Sequence, residues 1–332
     1  MRLIRFMACA CSAATLFTIA STASAAAPEL SFGERLAAAY EEPALYADGT
    51  DPSTDARVIP VDGVTTFETT TRFQNHNRRV LYIRPVANPS GKVPAILMLH
   101  YSGGTPEKMA NLTAVSQLVH DYGIWVILPE GVNRRWSDDP VRDAHRTDDS
   151  TFLANVIDAS VAAYPVDAHR IYAAGFSLGG FMTERFLCDH SERIAAAAWV
   201  SATLLNTQRA NCALTNTTPV MTFHGTKDPR VNYNGQVGYA SAPDTAAYFA
   251  GRNGCASPPV RTDLPNTAND GTTVYLDTYS SCSSSDPVRF YTITGGGHTW
   301  PGNNYQGALL GRTTHDIDAT SLLWSFFQNY SR

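Results

Sequence analysis

Ile171-Tyr172-Ala173-Ala174-Gly175-Phe176-Ser177-Leu178-Gly179-Gly180-Phe181-Met182 is the stretch on which the fold of this 332-residue chain turns. A β-rich apolar run enters it, a helical pattern leaves it, and Gly175-Phe176-Ser177-Leu178-Gly179 between them fits G-x-S-x-G. Taken alone the pattern is common by chance. A strand–turn–helix setting makes it a nucleophile turn, because the serine must stand on a sharp bend where flanking side chains would strike neighbouring backbone. Such a bend lifts the Ser177 hydroxyl clear of the sheet. The following helix then aims its unpaired N-terminal amides at the same point, where negative charge would develop. A merely structural glycine-rich turn would not require both flanking elements.

Outward from this stretch, apolar runs alternate with helical spacing. Residues 64–73 and 79–84, rich in Thr, Val, Tyr and Ile, predict an opening pair of strands. Residues 93–100, 124–128, 170–174, 194–201, 220–224 and 288–293 predict further strands, most of them continuous apolar runs suited to burial on both faces. Helices are predicted at 106–121, with Pro106 in its first turn, and at 149–164, 177–189, 243–253 and 318–329. Residues 26–60 read as irregular, interrupted by Pro28, Pro43, Pro52 and Pro60, and 280–285 as a Ser-rich loop. Strand alternating with helix is the sign of an α/β fold, a mostly parallel central sheet with helices on both faces. With no internal repeat and no linker to a second globular unit, residues 26–332 form one expected catalytic domain.

A serine hydroxyl needs a base to take its proton, and the base needs a carboxylate to orient it. The expected base is His298, in Gly295-Gly296-Gly297-His298-Thr299-Trp300-Pro301-Gly302, beyond the last strand in a glycine-rich loop that can approach the serine closely. The expected acid is Asp228, in His224-Gly225-Thr226-Lys227-Asp228-Pro229, just past the strand at 220–224. Ser, Asp, His is the chain order that a nucleophile turn of this kind takes. His224 competes as base but precedes the acid, and is read as packing the loop. Two amides must also face the developing oxyanion. Leu178 supplies one; the loop His100-Tyr101-Ser102-Gly103-Gly104 supplies the other, with Ser102 preferred and Tyr101 second.

The N-terminus reads as an export signal. Arg2 and Arg5 precede an apolar run over residues 6–20, followed by Ala23-Ser24-Ala25 with small residues at the cleavage positions. The run is short for a membrane anchor, which needs roughly 20 apolar residues. Cleavage near Ala25 gives a secreted chain, extracellular or periplasmic, and removes Cys9 and Cys11. Cys188, Cys212, Cys255 and Cys282 remain, an even number that suggests two disulfides. Three pairings are possible; the one that joins sequence neighbours, Cys188 to Cys212 and Cys255 to Cys282, is preferred. Without a C-x-x-C pair or adjacent histidines the spacing is unlike that of a zinc site. A net charge of −5 argues against a general nucleic-acid binder, which needs a clustered excess of Lys and Arg. Neither a membrane partner nor a metal or organic cofactor is expected.

The segments LMLHYSGGT, ILPEGVNRRW, YPVDAHRIYAAGFSLGGFM, FHGTKDPRVNYNG, NGC and GGGHTWPG together resemble the secreted α/β-hydrolase esterases that group polyhydroxybutyrate depolymerases with feruloyl esterases, the LpqC-like branch. The resemblance runs from about Val93 to the C-terminus. It implies the α/β-hydrolase fold, a triad of Ser177, Asp228 and His298, and both neighbour disulfides. It also implies an ester substrate, either a hydroxyalkanoate oligomer or a hydroxycinnamoyl or acetyl ester, and substrate contacts from Trp136 and Trp300. Tyr101 stands where the family usually has glycine, so it places bulk or a hydroxyl near the acyl group and counts as a substrate-contact candidate. The competing expectations are an acetylxylan esterase and a non-catalytic binding protein on the same fold.

Overall fold

Residue-by-residue alternation builds the centre of the molecule. In β3 (Val93–Leu99), Ile96 and Met98 point to one face of the sheet, where they join a cluster with Val115, Leu118, Leu323 and Phe327; Ala95, Leu97 and Leu99 point to the other and are equally buried. A strand wet on neither side must be apolar at every position, which is why these runs are continuous. The structure, a computed structural model, describes residues 57–139, 141–143, 146–283, 285–304 and 309–332, all within one compact unit. The expected export signal, residues 1–25, lies outside the described residues.

The remaining strands are β1 (Val64–Phe73), β2 (His76–Pro85), β4 (Trp125–Pro129), β5 (Val166–Phe176), β6 (Ala196–Val200), β7 (Val220–Gly225), β8 (Val260–Asp263), β9 (Thr273–Tyr279) and β10 (Val288–Thr294). They form one sheet in the order β1-β2-β4-β3-β5-β6-β7-β10-β9-β8. The six strands from β4 to β10 in that order are parallel, and antiparallel pairs close both ends. The helices are α1 (Pro106–Thr113), α2 (Val115–Tyr122), α3 (Asp149–Ala163), α4 (Leu178–His190), α5 (Asn206–Asn211), α6 (Ala242–Arg252) and α7 (Ala319–Phe327). Helix α2 packs on α7, and α3 on α4, so the sheet is covered on both sides. This is the α/β-hydrolase fold that the sequence implied.

Three expectations needed adjustment. The helix at 106–121 is two helices, because Ala114 adopts a left-handed conformation (φ 49°). Thr113 Oγ1 donates back to the Met109 carbonyl, and the Thr113 carbonyl accepts from Thr320 Oγ1 on α7, which holds the bend. The strand before the nucleophile is 11 residues long rather than five, since β5 continues through the polar stretch Asp167–Arg170. Strands β8 and β9 and helix α5 were not anticipated; β8 is exposed at all four positions and shows no burial pattern.

Candidate functional site

Ser177, Asp228 and His298 lie just beyond the C-terminal ends of β5, β7 and β10, strands of the parallel part of the sheet. Loops at that edge converge on the crevice where such sheets carry their chemistry. Ser177 has φ 53° and ψ −120°, a conformation that costs of order 1–3 kcal/mol in a non-glycine residue and persists only when its surroundings hold it. Its amide donates to the Val200 carbonyl (2.9 Å) and its carbonyl accepts from Phe181 N at the start of α4 (3.0 Å). The two glycines of the motif are demanded by close approach. A Cβ on Gly175 would sit 2.2 Å from the Gly179 carbonyl oxygen, and one on Gly179 would sit 2.1 Å from the Leu99 oxygen. Helix α4 is thereby pressed against the end of β3, beside the loop that begins at His100.

The acid and base loops meet backbone to backbone. A Cβ on Gly225 would lie 2.4 Å from the Gly296 oxygen, and the Lys227 amide donates to that same oxygen (2.8 Å). His298 Nδ1 donates to Asp228 Oδ2 at 2.8 Å, with both side chains buried. Asp228 Oδ1 accepts from the amides of Arg230 and Val231, each at 2.8 Å. Burial alone would raise the Asp228 carboxyl. The His298 charge and hydrogen bond, His224 and the Val231 amide outweigh it and hold the carboxyl below its ordinary value. The carboxylate is thus ionised and rotationally fixed, able to select the Nδ1–H tautomer and leave Nε2 without a proton. The His298 ring lies 5.0 Å from the ring of Phe176, the residue immediately before Ser177.

His224 is not a second base. It is fully buried, its Nε2 donates to the Val231 carbonyl (2.8 Å), and burial pushes its pKa down, so it is a neutral brace under the acid loop.

The loop after β3 has a brace that sequence reasoning missed. His100 Nδ1 donates to the Tyr101 carbonyl (2.8 Å), while its Nε2 accepts from the Gly131 amide (3.0 Å). Only a neutral imidazole can do both. Burial drives the His100 pKa down to about 4, against weaker opposition from the Tyr101 carbonyl. The Gly103 amide donates to Arg134 O and the Gly104 amide to Tyr101 O, so both are committed. Ser102 and Leu178, the two expected oxyanion donors, are both buried at this junction. Leu178 opens α4, where the first amides have no partner within the helix.

The aromatic candidates divide. Tyr101 is buried with its ring edge-on to Phe176 (5.8 Å), next to the nucleophile turn. Trp300 donates its indole N–H to Thr320 Oγ1 (3.0 Å) and lines a shallow apolar depression together with Leu112, Phe176, His298, Asn303 and Leu310. Trp136 is only 1% exposed, packs on the His100 ring (4.8 Å) and donates its N–H to the His100 carbonyl (2.8 Å). Its place is beneath the loop, and it offers no open aromatic face. A further surprise is Glu184 on α4, fully buried with neither carboxylate oxygen hydrogen-bonded; burial, reinforced by Asp138, keeps it protonated.

Both expected disulfides are present. Cys188–Cys212 ties the last turn of α4 to the residue after α5, and Cys255–Cys282 ties the segment after α6 to that after β9. Among the described residues no group of three or more His, Cys, Asp or Glu side chains could hold a metal ion, and no helix is long and apolar enough to cross a membrane.

Comparison with known proteins agrees with this architecture. A family described as Phospholipase/Carboxylesterase matches residues 86–243. The chain is 29% identical over 260 residues to a protein of Nocardia uniformis subsp. tsuyamanensis that carries the name esterase NocK, covering 72% of this chain and 75% of that one. It is 32% identical over 162 residues to feruloyl esterase B of Piromyces equi, covering 46% of this chain but only 29% of the relative. In three dimensions it is similar to an acetyl xylan esterase from Aspergillus awamori, with a TM-score of 0.60, 15% identity, and coverage of 80% of this chain and 99% of that one.

Proposed function

We propose that this carboxylic ester hydrolase of the α/β-hydrolase fold is an exported serine esterase that works through Ser177, His298 and Asp228. The observation that carries the reading is the 2.8 Å bond from His298 Nδ1 to a carboxylate pinned by two amides. The His298 ring packs on Phe176, the residue before a serine held in a strained turn at the head of a helix. In this mechanism His298 Nε2 takes the Ser177 proton as the hydroxyl oxygen attacks the ester carbonyl. The amides of Leu178 and Ser102 receive the oxyanion. His298 then protonates the departing alkoxide, and water repeats the cycle on the acyl-enzyme with the same base. Asp228 fixes the tautomer and stabilises the imidazolium. Two disulfides are consistent with export, since such bonds persist outside the reducing cytosol.

The ester itself belongs to the kind that decorates plant polysaccharide, as in the names of the feruloyl and acetyl xylan esterases similar to this chain. Trp300 and Tyr101 would border the acyl group. Methyl ferulate, acetylated xylan and hydroxybutyrate oligomers assayed side by side rank the three ester classes, and we expect one of the first two to lead, in keeping with the names of those relatives. Ser177→Ala is expected to lower turnover of short p-nitrophenyl esters at least a thousandfold and to abolish labelling by a fluorophosphonate, with an unchanged circular dichroism spectrum. Near-native turnover by that variant would remove Ser177 from the mechanism.

A further inference from the structure

At the opposite edge of the sheet from Ser177 lies a groove that none of this chemistry uses. It is lined by Thr65, Phe67, Arg84, Asn88, Trp125 and Tyr164, with a volume of about 330 Å³. Trp125 begins β4 and Pro165, also on its wall, precedes β5, whereas Ser177 follows the end of β5. The 11 residues of β5 therefore separate groove and nucleophile by on the order of 30 Å.

The groove is aromatic and rich in unused donors. Phe67 stacks on Tyr82 (4.8 Å) and meets Tyr164 edge-on (5.3 Å), while Trp125 stacks on Tyr164 (5.2 Å). Trp125 is 3% exposed, and its indole N–H has no acceptor. Trp199 and Trp324 share that state, and what sets Trp125 apart is its place on the groove wall with the Arg84 guanidinium over its ring (5.9 Å). Arg84 is half-buried and forms no ion pair among the described residues. Its hydrogen bonds, to the carbonyls of Pro85 and Val86 and to Asn88 Oδ1, all leave from one nitrogen, Nη1. Nε and Nη2 of the guanidinium remain to donate, the forked geometry that grips a carboxylate.

We propose that this groove is a second, non-catalytic binding site for an aryl carboxylate, whose ring packs among Phe67, Trp125 and Tyr164 while its carboxylate accepts from Arg84 and Trp125 Nε1. Charge decides the class. A neutral sugar or ester could use the rings but would bring no countercharge to Arg84, whose guanidinium has the Trp125 ring beside it, whereas an aromatic acid satisfies rings, cation and N–H together. Hydroxycinnamates, the acids released from hydroxycinnamoyl esters, have this chemistry. The site stands whether or not such esters are this enzyme's own substrates.

The test is calorimetric titration of ferulate into the full-length Ser177→Ala protein, beside the same protein carrying Arg84→Gln, with methyl ferulate and a xylo-oligosaccharide as neutral probes. Saturable 1:1 ferulate binding is expected, weakened ten- to hundredfold by Arg84→Gln and by replacement with the methyl ester. Trp125→Phe, which keeps a ring and removes the N–H, should weaken it several-fold. Arg84→Gln in the wild-type background should leave hydrolysis of short p-nitrophenyl esters unchanged, which separates this site from the catalytic one. Absence of binding, equal binding of ferulate with and without Arg84, or equal binding of the acid and its methyl ester would each overturn the assignment.

Discussion

His100 makes the stability of this protein sensitive to acid in a way that one substitution can isolate. Folded, the imidazole is neutral and doubly engaged, donating to Tyr101 O and accepting from Gly131 N, with a pKa near 4 against an ordinary 6.5. In the unfolded chain it recovers the ordinary value. Above pH 6.5 both states hold a neutral ring and the site is indifferent to pH. As pH falls from 6.5 towards 4, the unfolded chain binds a proton that the folded one refuses, so stability declines by about 1.4 kcal/mol per pH unit. By pH 4 the loss is about 3 kcal/mol. Other groups titrate over the same range with other signs. Burial pushes the Asp138 carboxyl up to about 7, so its contribution is full at low pH and lost as pH rises. A difference measurement removes them. His100→Gln retains a donor and an acceptor of similar reach but does not titrate. Urea unfolding followed by tryptophan fluorescence, at pH 7.5 and pH 4, should show wild type losing about 3 kcal/mol relative to the variant on acidification. A wild-type-minus-variant difference that stays constant to within about 1 kcal/mol between the two pH values would refute the neutral, locked imidazole.

Further expectations concern the other parts of the site. Asp228→Asn preserves shape but lets His298 take the wrong tautomer, so kcat should fall by roughly 10³–10⁴ with little change in KM, measured on a p-nitrophenyl ester. Gly179→Ala would drive a Cβ to 2.1 Å from the Leu99 carbonyl oxygen and should cost more than about 3 kcal/mol, or prevent accumulation of folded protein. Gly251→Ala, a helical position with nothing within 4 Å, should instead stabilise by about 0.5–1 kcal/mol in the same thermal melts. Replacing Cys188 and Cys212 together by serine opens a loop spanning 24 residues and should cost about 3 kcal/mol by denaturant titration.

The parallel core was legible because burial on both faces forces uninterrupted apolar runs, as in β3, β4 and β7. The strand–turn–helix around Ser177 was legible because Gly175 and Gly179 each have a steric reason to be glycine, and the approach of His298 to Asp228 because three glycines precede it. Where stability comes from tertiary ties the sequence is silent. Ala114 bends the chain between α1 and α2 although alanine is a strong helix former, and the carbonyl just before it is tied to the Thr320 hydroxyl, about 200 residues away. His100 was noted only as the start of a loop, since the partners that define its role, Gly131 and Trp136, are distant in sequence. The family resemblance implies a substrate contact from Trp136, whereas its N–H is committed to the His100 carbonyl and its ring is buried. Strand β9, Thr273–Tyr279, is rich in Thr, Val and Tyr and could have been found on that composition; its partner β8, exposed at all four positions, carries no pattern to find.

That outermost strand also bears on how the protein behaves in crowded company. An open sheet ends in unpaired amides and carbonyls, an invitation to another molecule to add itself. At the β8 border the invitation is brief, four residues, and its Arg261 head is already clamped on Asp277 (2.7 and 2.8 Å) above the Tyr275 ring. The far border, β1, runs for ten residues and is studded with threonine. Among the described residues the two margins are therefore unequal, and the longer one offers the longer run of backbone for another strand to join.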